Sequence, residues 1–171
     1  MKKQFGNTSK ILEFFVNSKD ELVVIRQDLC FIAFKLGENS REGELIKVGK
    51  ITSRNEAGHK SCFLKAQNLF VFSELSRRED TMDFRFFDFS DAKTPFKLYK
   101  RSMTIEHVSF YRVKDLDLKC YQLRTSSGEF GVFAFYYDHE NTKKIQHFIF
   151  SGGDVYLSNQ WTLGARWRKR T

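Results

Sequence analysis

The hydrophobic residues of this chain recur mostly at every second position, in short runs separated by polar turns. From Cys30 to Leu36, for example, alternate side chains from Cys30 onward form one apolar set. A period of two is typical of β-strands. We therefore predict strands at Ile11 to Val16, Leu22 to Arg26, Cys30 to Leu36, Leu45 to Thr52, Met82 to Phe89, Phe96 to Lys100, Thr104 to Val113, Leu118 to Thr125, Glu129 to Tyr137, Lys143 to Phe150 and Val155 to Leu157.

Two segments of this pattern allow a helix. Ser9 could cap a short helix over Ile11 to Val16, although the polar residues that follow suit a hairpin loop, and we favour the strand. After Ser61 the apolar residues follow helical spacing, which predicts one helix near residues 62–78. The run from Leu69 to Phe72 favours strand and would end that helix early.

The short connections between the later runs predict hairpins, and hence an antiparallel β-meander. The apolar positions change phase within Met82 to Phe89, which predicts a β-bulge. The run from Phe130 to Tyr137 is apolar on both faces, so we expect it centrally in the sheet with other elements packed on each side. The expected fold class is mainly β (α+β), an antiparallel meander with about one covering helix near residues 62–78.

Composition supports a single globular domain over residues 1–171, with a basic C-terminal tail from about residue 160. The chain has nineteen Phe and one Pro, and no linker-like or repeated segment divides it. The three Cys are widely spaced, without a C-x-x-C motif, which favours buried free thiols in a reducing compartment. No apolar stretch approaches the length of a membrane span. We expect a cytoplasmic location, in the host if the gene is viral.

A net charge of +8 favours an anionic partner. Half of it lies in the tail, which combines Arg166, Arg168, Lys169 and Arg170 with two Trp; arginine binds phosphate oxygens, and an exposed indole can stack on a base. A second basic group lies between residues 97 and 124, where exposed Tyr99, Tyr111 or Tyr121 would add stacking surfaces. The predicted nucleic-acid-binding residues are Lys97, Lys100, Arg101, Arg112, Lys114, Trp161, Arg166, Trp167, Arg168, Lys169 and Arg170. In the alternative interpretation, the basic residues between 97 and 124 lie on solvated sheet edges, and the basic tail only increases solubility.

Motifs for catalysis are weak, and we predict neither catalytic residues, nor a cofactor, nor a metal site. The four His lack metal-ligand spacing, and His107 and His147 are expected to be hydrogen-bonded within strands. Asp138 to Glu140 encloses His139 in a predicted loop, where polar residues need no chemical role. No phosphate-binding glycine motif or serine-hydrolase motif occurs.

The sequence therefore leads to three hypotheses. The first is a nucleic-acid-binding regulatory protein that holds the phosphate backbone of DNA or RNA through its basic strands and tail. The second is an adaptor or phage-type accessory factor that binds an acidic protein surface such as transcription machinery. The third is a metal-dependent nuclease using Asp83, Asp88 or Asp91, and here whether these carboxylates bind a metal is open. Enzymatic activity is the less favoured interpretation.

Overall fold

The computed structural model describes residues 10–37, 43–52, 60–76, 81–97, 103–123, 129–151 and 154–163. Its strands are β1 (Ile11–Val16), β2 (Glu21–Arg26), β3 (Cys30–Leu36), β4 (Gly43–Lys50), β5 (Ser61–Leu64), β6 (Leu69–Ser76), β7 (Thr81–Asp88), β8 (Phe96–Lys97), β9 (Met103–Glu106), β10 (Asp117–Gln122), β11 (Phe130–Tyr137), β12 (Lys143–Ser151) and β13 (Asp154–Leu163). Two short 3-10 segments cover Lys65–Gln67 and Phe110–Asp115. The prediction of a mainly antiparallel β fold is confirmed.

These strands form three antiparallel sheets. The first sheet has the order β1-β2-β3-β4, and the third sheet has the order β10-β11-β12-β13. The central sheet has the order β5-β6-β7-β8, and β9 pairs with the opposite end of the same edge of β7. Each sheet follows chain order because its strands are joined by tight connections, such as Asn17 to Asp20 between β1 and β2.

The central sheet is covered on both faces, which makes the molecule three-layered. Leu69 and Val71 of β6 pack with the third sheet, whereas Phe70 and Phe72 of the same strand pack with the first sheet. Because alternate residues point to opposite faces, a strand between two cores must be apolar at every position. This explains the unbroken apolar run from Leu69 to Phe72.

The predicted helix near residues 62–78 is wrong where the structure describes it. That segment is a β-hairpin, in which β5 turns through Lys65–Gln67 and Asn68 into β6. Asn68 has a left-handed backbone with φ of 51°, and its side chain bonds with Ser18 of the first sheet. The apolar residues of this segment face two different cores, and their spacing matches a helical period only by coincidence. The strand preference of Leu69 to Phe72 agrees with the hairpin that forms.

Three further predictions need correction. The pairing of β6 with β7 runs without a bulge from Leu69 to Ser76, because both faces of β7 are buried and no phase change is needed. The strand predicted from Thr104 to Val113 ends at Glu106, and Phe110–Asp115 is a 3-10 segment. The last strand is longer than predicted and extends to Leu163, so Trp161 belongs to the sheet.

The third sheet leaves one face without a covering layer among the described residues. Phe130, Val132, Ala134 and Tyr136 of β11 face the central sheet and are buried, while Phe133, Phe135 and Tyr137 on the other face are half-buried. The strand is therefore interior within its sheet, as predicted, but it is packed on one side only. No helix in the described part of the chain has the length and apolar character needed to span a bilayer.

Candidate functional site

The outer face of the third sheet carries a concentration of ring side chains. Strand pairing arranges it in four rows across β10 to β13. These rows are Tyr121, Gly131, Ile149 and Tyr156; Lys119, Phe133, His147 and Asn159; Asp117, Phe135, Ile145 and Trp161; and finally Tyr137, Lys143 and Leu163. We use the term aromatic face for the six rings of Tyr121, Phe133, Phe135, Tyr137, His147 and Trp161.

Three of these rings form a preorganised group. The Phe133 and His147 rings stack with centroids 4.4 Å apart, and the Tyr121 ring lies within 24° of parallel to Phe133 at 5.5 Å. The Tyr121 hydroxyl and Nε2 of His147 are hydrogen-bonded at 2.5 Å, and the ring tautomer sets which of the two donates. Burial lowers the pKa of His147 and raises that of Tyr121, which keeps both groups in the forms this hydrogen bond needs.

The remaining rings extend this group towards the edge of the sheet. Phe135 lies 6.3 Å from Phe133, and Trp161 lies 6.4 Å from Phe133 on the edge strand β13. Every second residue of β11 from Phe133 to Tyr137 contributes a ring, and successive rings are about 7 Å apart along the strand. Phe133, Phe135 and Tyr137 are half-buried, and the Trp161 side chain is 43% exposed. The face is thus fixed by its internal contacts and still open to solvent.

Arg112, a predicted phosphate-binding residue, instead clamps the corner of this face. Its guanidinium lies 3.6 Å above the centroid of the Tyr137 ring. It also donates to Asp115 at 2.7 Å and to Asn141 at 3.0 Å. The pKa of Arg112 is raised by the hydrogen bond to Asp115. A guanidinium held on three sides has a structural role at this position.

Of the other predicted basic residues, the structure describes Lys97 and Lys114. Lys97 lies on β8, in the central sheet, away from the aromatic face. Lys114 is exposed in the 3-10 segment that precedes β10. Lys100, Arg101 and the tail residues Arg166, Trp167, Arg168, Lys169 and Arg170 lie outside the described residues.

Two lysines lie on the aromatic face itself: Lys119, a member of the basic group between residues 97 and 124, and Lys143, which the sequence prediction omitted. Lys143 is next to Tyr137 and Leu163 in the last row, and Lys119 is next to Phe133. Lys119 makes an exposed ion pair with Asp117 at 3.2 Å, which is worth little in water. Lys143 therefore adds positive charge at the rim of the ring cluster, whereas the charge of Lys119 is balanced by Asp117.

The carboxylates considered for metal binding are dispersed. Asp83 and Asp88 lie on opposite faces of β7, about 17 Å apart along the strand. Asp83 bonds with Arg85 and Thr104, Asp88 accepts from the Ser90 amide, and Asp91 pairs with Lys19. No cluster of three metal-ligating side chains exists among the described residues. The nuclease hypothesis thereby loses the observation on which it was based.

The histidines divide into two kinds. His147 is buried and hydrogen-bonded in a strand, as predicted. His107 instead lies exposed in a turn with φ of 60°, with its ring 5.1 Å from that of His139. The neighbouring Asp138 caps the Thr142 amide and pairs with Lys144, so it has a structural role.

The sequence prediction missed Phe133, Phe135, Tyr137 and His147 as members of a site. These rings occupy alternate positions of β11 and β12. Because we expected β11 to be covered on both faces, we did not interpret them as a surface. Hairpin register then brought Trp161 opposite Ile145, within reach of Phe133. Compared with known families and with curated proteins, the chain matches no family model and no curated protein.

Proposed function

We propose that this protein binds single-stranded nucleic acid, with bases stacking on the aromatic face of the third sheet and phosphates held by Lys119, Lys143 and the C-terminal tail. The observation that carries the proposal is the group of half-buried and exposed rings on this sheet face, where Arg112 packs over Tyr137 and the described residues form no further covering layer. Rings on a rigid sheet suit base stacking, which contributes about 1–3 kcal/mol per base. The bases of a duplex are already stacked inside the helix, so a flat ring surface favours single strands.

The position of the tail supports this proposal. It follows directly on β13, the strand that contributes Trp161 and Leu163 to the outer face. Four of the eight net positive charges of the chain therefore follow, in the sequence, shortly after the strand that carries Trp161. Cations beside a stacking surface are the combination that sequence-tolerant single-strand binders use.

The proposed task is regulatory and not catalytic. The aromatic face contains His147 hydrogen-bonded to Tyr121, and among the described residues no carboxylate is hydrogen-bonded to either ring. Asp117, the acidic residue of the face, is paired with Lys119 at its rim. Such a surface has recognition groups without a general base placed beside them.

Fluorescence anisotropy with labelled single-stranded DNA, single-stranded RNA and duplexes of the same sequences tests the proposal. We expect tighter binding of the single strands, and affinity that falls steeply between two salt concentrations. Trp161→Ala should weaken binding about 10-fold, since one stacked base is lost. Phe14→Ala is the matched control, because Phe14 is an aromatic residue that is 68% exposed on β1 of the first sheet.

A tail variant separates the two parts of the proposed site. Replacing Arg166, Arg168, Lys169 and Arg170 by Gln should lower the affinity and flatten its salt dependence, while leaving the preference for single strands. Absence of binding at low salt would overturn the proposal. Equal affinity for single strands and duplexes would overturn the stacking model.

An acidic protein surface is the second candidate partner. Ile145, Leu163 and Tyr156 add apolar area between the rings, and Tyr156 and Trp161 are exposed. Exposed aromatic and aliphatic side chains together are typical of protein hot spots, and the basic residues would accelerate association with an acidic partner such as transcription machinery. A pull-down from nuclease-treated lysate tests this candidate: a partner retained there, and lost with Trp161→Ala, supports the adaptor function.

A further inference from the structure

Strand register directs two cysteines into the same space between the central and third sheets. Cys62 of β5 pairs with Val71, which faces the third sheet. Cys120 of β10 pairs with Val132, which faces the central sheet. Directly opposite residues of an antiparallel pair share a face, so both thiols point into this interlayer space.

The two cysteines also lie next to each other. β5 and β10 are each the first strand of their sheets, and they lie side by side. Both side chains pack against the same apolar core, and each thiol shifts the pKa of the other. Both are half-buried free thiols in this structure.

We propose that Cys62 and Cys120 are a redox-active pair that forms a disulfide across the two sheets when the protein meets a hydroperoxide. The third cysteine, Cys30, lies on β3 of the first sheet and is not part of the pair. The bond would join the first strand of the third sheet covalently to the central layer. This inference is independent of the proposed nucleic-acid binding.

The contact assigns different roles to the two sulfurs. The contact with Cys62 lowers the pKa of Cys120, whereas the pKa of Cys62 is raised by the same contact and by burial. Because the thiolate is the nucleophile, Cys120 is the residue that attacks the oxidant and Cys62 the residue that resolves.

The reaction balances with hydrogen peroxide as the oxidant. The Cys120 thiolate attacks one peroxide oxygen, forming an S–O bond while the O–O bond breaks, and the departing hydroxide takes a proton to become water. The sulfur of Cys62 then attacks the sulfenyl sulfur, forming the S–S bond while the S–O bond breaks. The second hydroxide leaves with the Cys62 proton as water. Two thiols lose two protons and two electrons, and one peroxide gains them.

The test treats the reduced, folded, full-length protein with hydrogen peroxide, removes the oxidant, and alkylates free thiols after denaturation. We expect two of the three thiols to be lost and one linked peptide pair, containing Cys62 and Cys120, in the mass spectrum. Dithiothreitol should restore both thiols. The Cys30→Ala variant should behave identically, with loss of both of its remaining thiols.

A second variant checks the assigned order of reaction. In Cys62→Ala, Cys120 has no resolving partner and should accumulate as a sulfenic acid that dimedone labels. Conversely, Cys120→Ala should leave Cys62 reduced under the same treatment. A disulfide involving Cys30, or a sulfinic acid on Cys120 while Cys62 stays free in the unmodified sequence, would overturn the proposal.

Discussion

The ring of Tyr121 lies directly over the backbone of Gly131, so a Cβ atom at residue 131 would collide with its ring carbons. The absence of a side chain at this position lets the tyrosine lie across the sheet from β10 and reach His147 on β12. Since residue 131 has an ordinary backbone conformation, close approach and not φ requires the glycine here. One missing side chain thus organises the aromatic face.

The first prediction concerns this contact. Gly131→Ala should displace the Tyr121 ring, break its hydrogen bond to His147 and lower the free energy of unfolding by about 1–3 kcal/mol. Urea denaturation measures the change. The control is the same substitution in a Tyr121→Ala background, where the collision is absent and the cost should be much smaller. An equal cost in both backgrounds would contradict the explanation.

The second prediction concerns pH. Burial lowers the pKa of His147 below its usual 6.5, so the unfolded chain binds this proton at a higher pH than the folded protein does. The contribution of His147 to stability is therefore complete above 6.5 and is lost as the pH falls from there to the lower folded pKa. Denaturation midpoints measured across this range should decline more steeply than those of His147→Gln. Parallel curves for the two proteins would exclude His147 as the cause.

The third prediction separates the role of Arg112 from that of Lys143. Arg112→Gln should lower the unfolding midpoint, because the cation–π contact with Tyr137 and the ion pair with Asp115 are lost. Lys143→Gln should instead leave the midpoint unchanged and reduce the salt slope of nucleic-acid binding by about 1. Lys47→Gln, a charge change on β4 of the first sheet, is the control for net charge. A slope reduced equally by the control would show that Lys143 has no local effect.

The fourth prediction concerns the buried ion cluster of the central sheet. Arg85 bonds with Glu74 and Asp83 at 3.2 Å each, and the Glu74 side chain is fully buried. Arg85→Met should cost about 3–5 kcal/mol of unfolding free energy, because it leaves the Glu74 carboxylate without its partner. Adding Glu74→Gln should recover part of that loss, since an amide is cheaper to bury than an unpaired charge. Chemical denaturation of the single and double variants measures both effects.

Local pattern was sufficient for most strands. Cys30–Leu36 has the bounds that alternation predicts, and Ile11–Val16 has the bounds of the strand that we favoured over a short helix. The pattern failed at β6. Both faces of this strand are buried, so its apolar and polar residues do not alternate. The charge pattern also did not indicate the contacts of Arg112, whose guanidinium is engaged by Tyr137 and Asp115.

The sequence by itself determined that this is an aromatic-rich antiparallel β protein with a basic tail, because strand period and charge are properties of neighbouring residues. The tertiary structure decided which sheet is covered on both faces and which sheet has one face exposed to solvent. It also decided that Trp161 meets Phe133 and that Cys62 meets Cys120. Such contacts join residues far apart in the chain, and their geometry depends on register and layer packing, which no local pattern encodes.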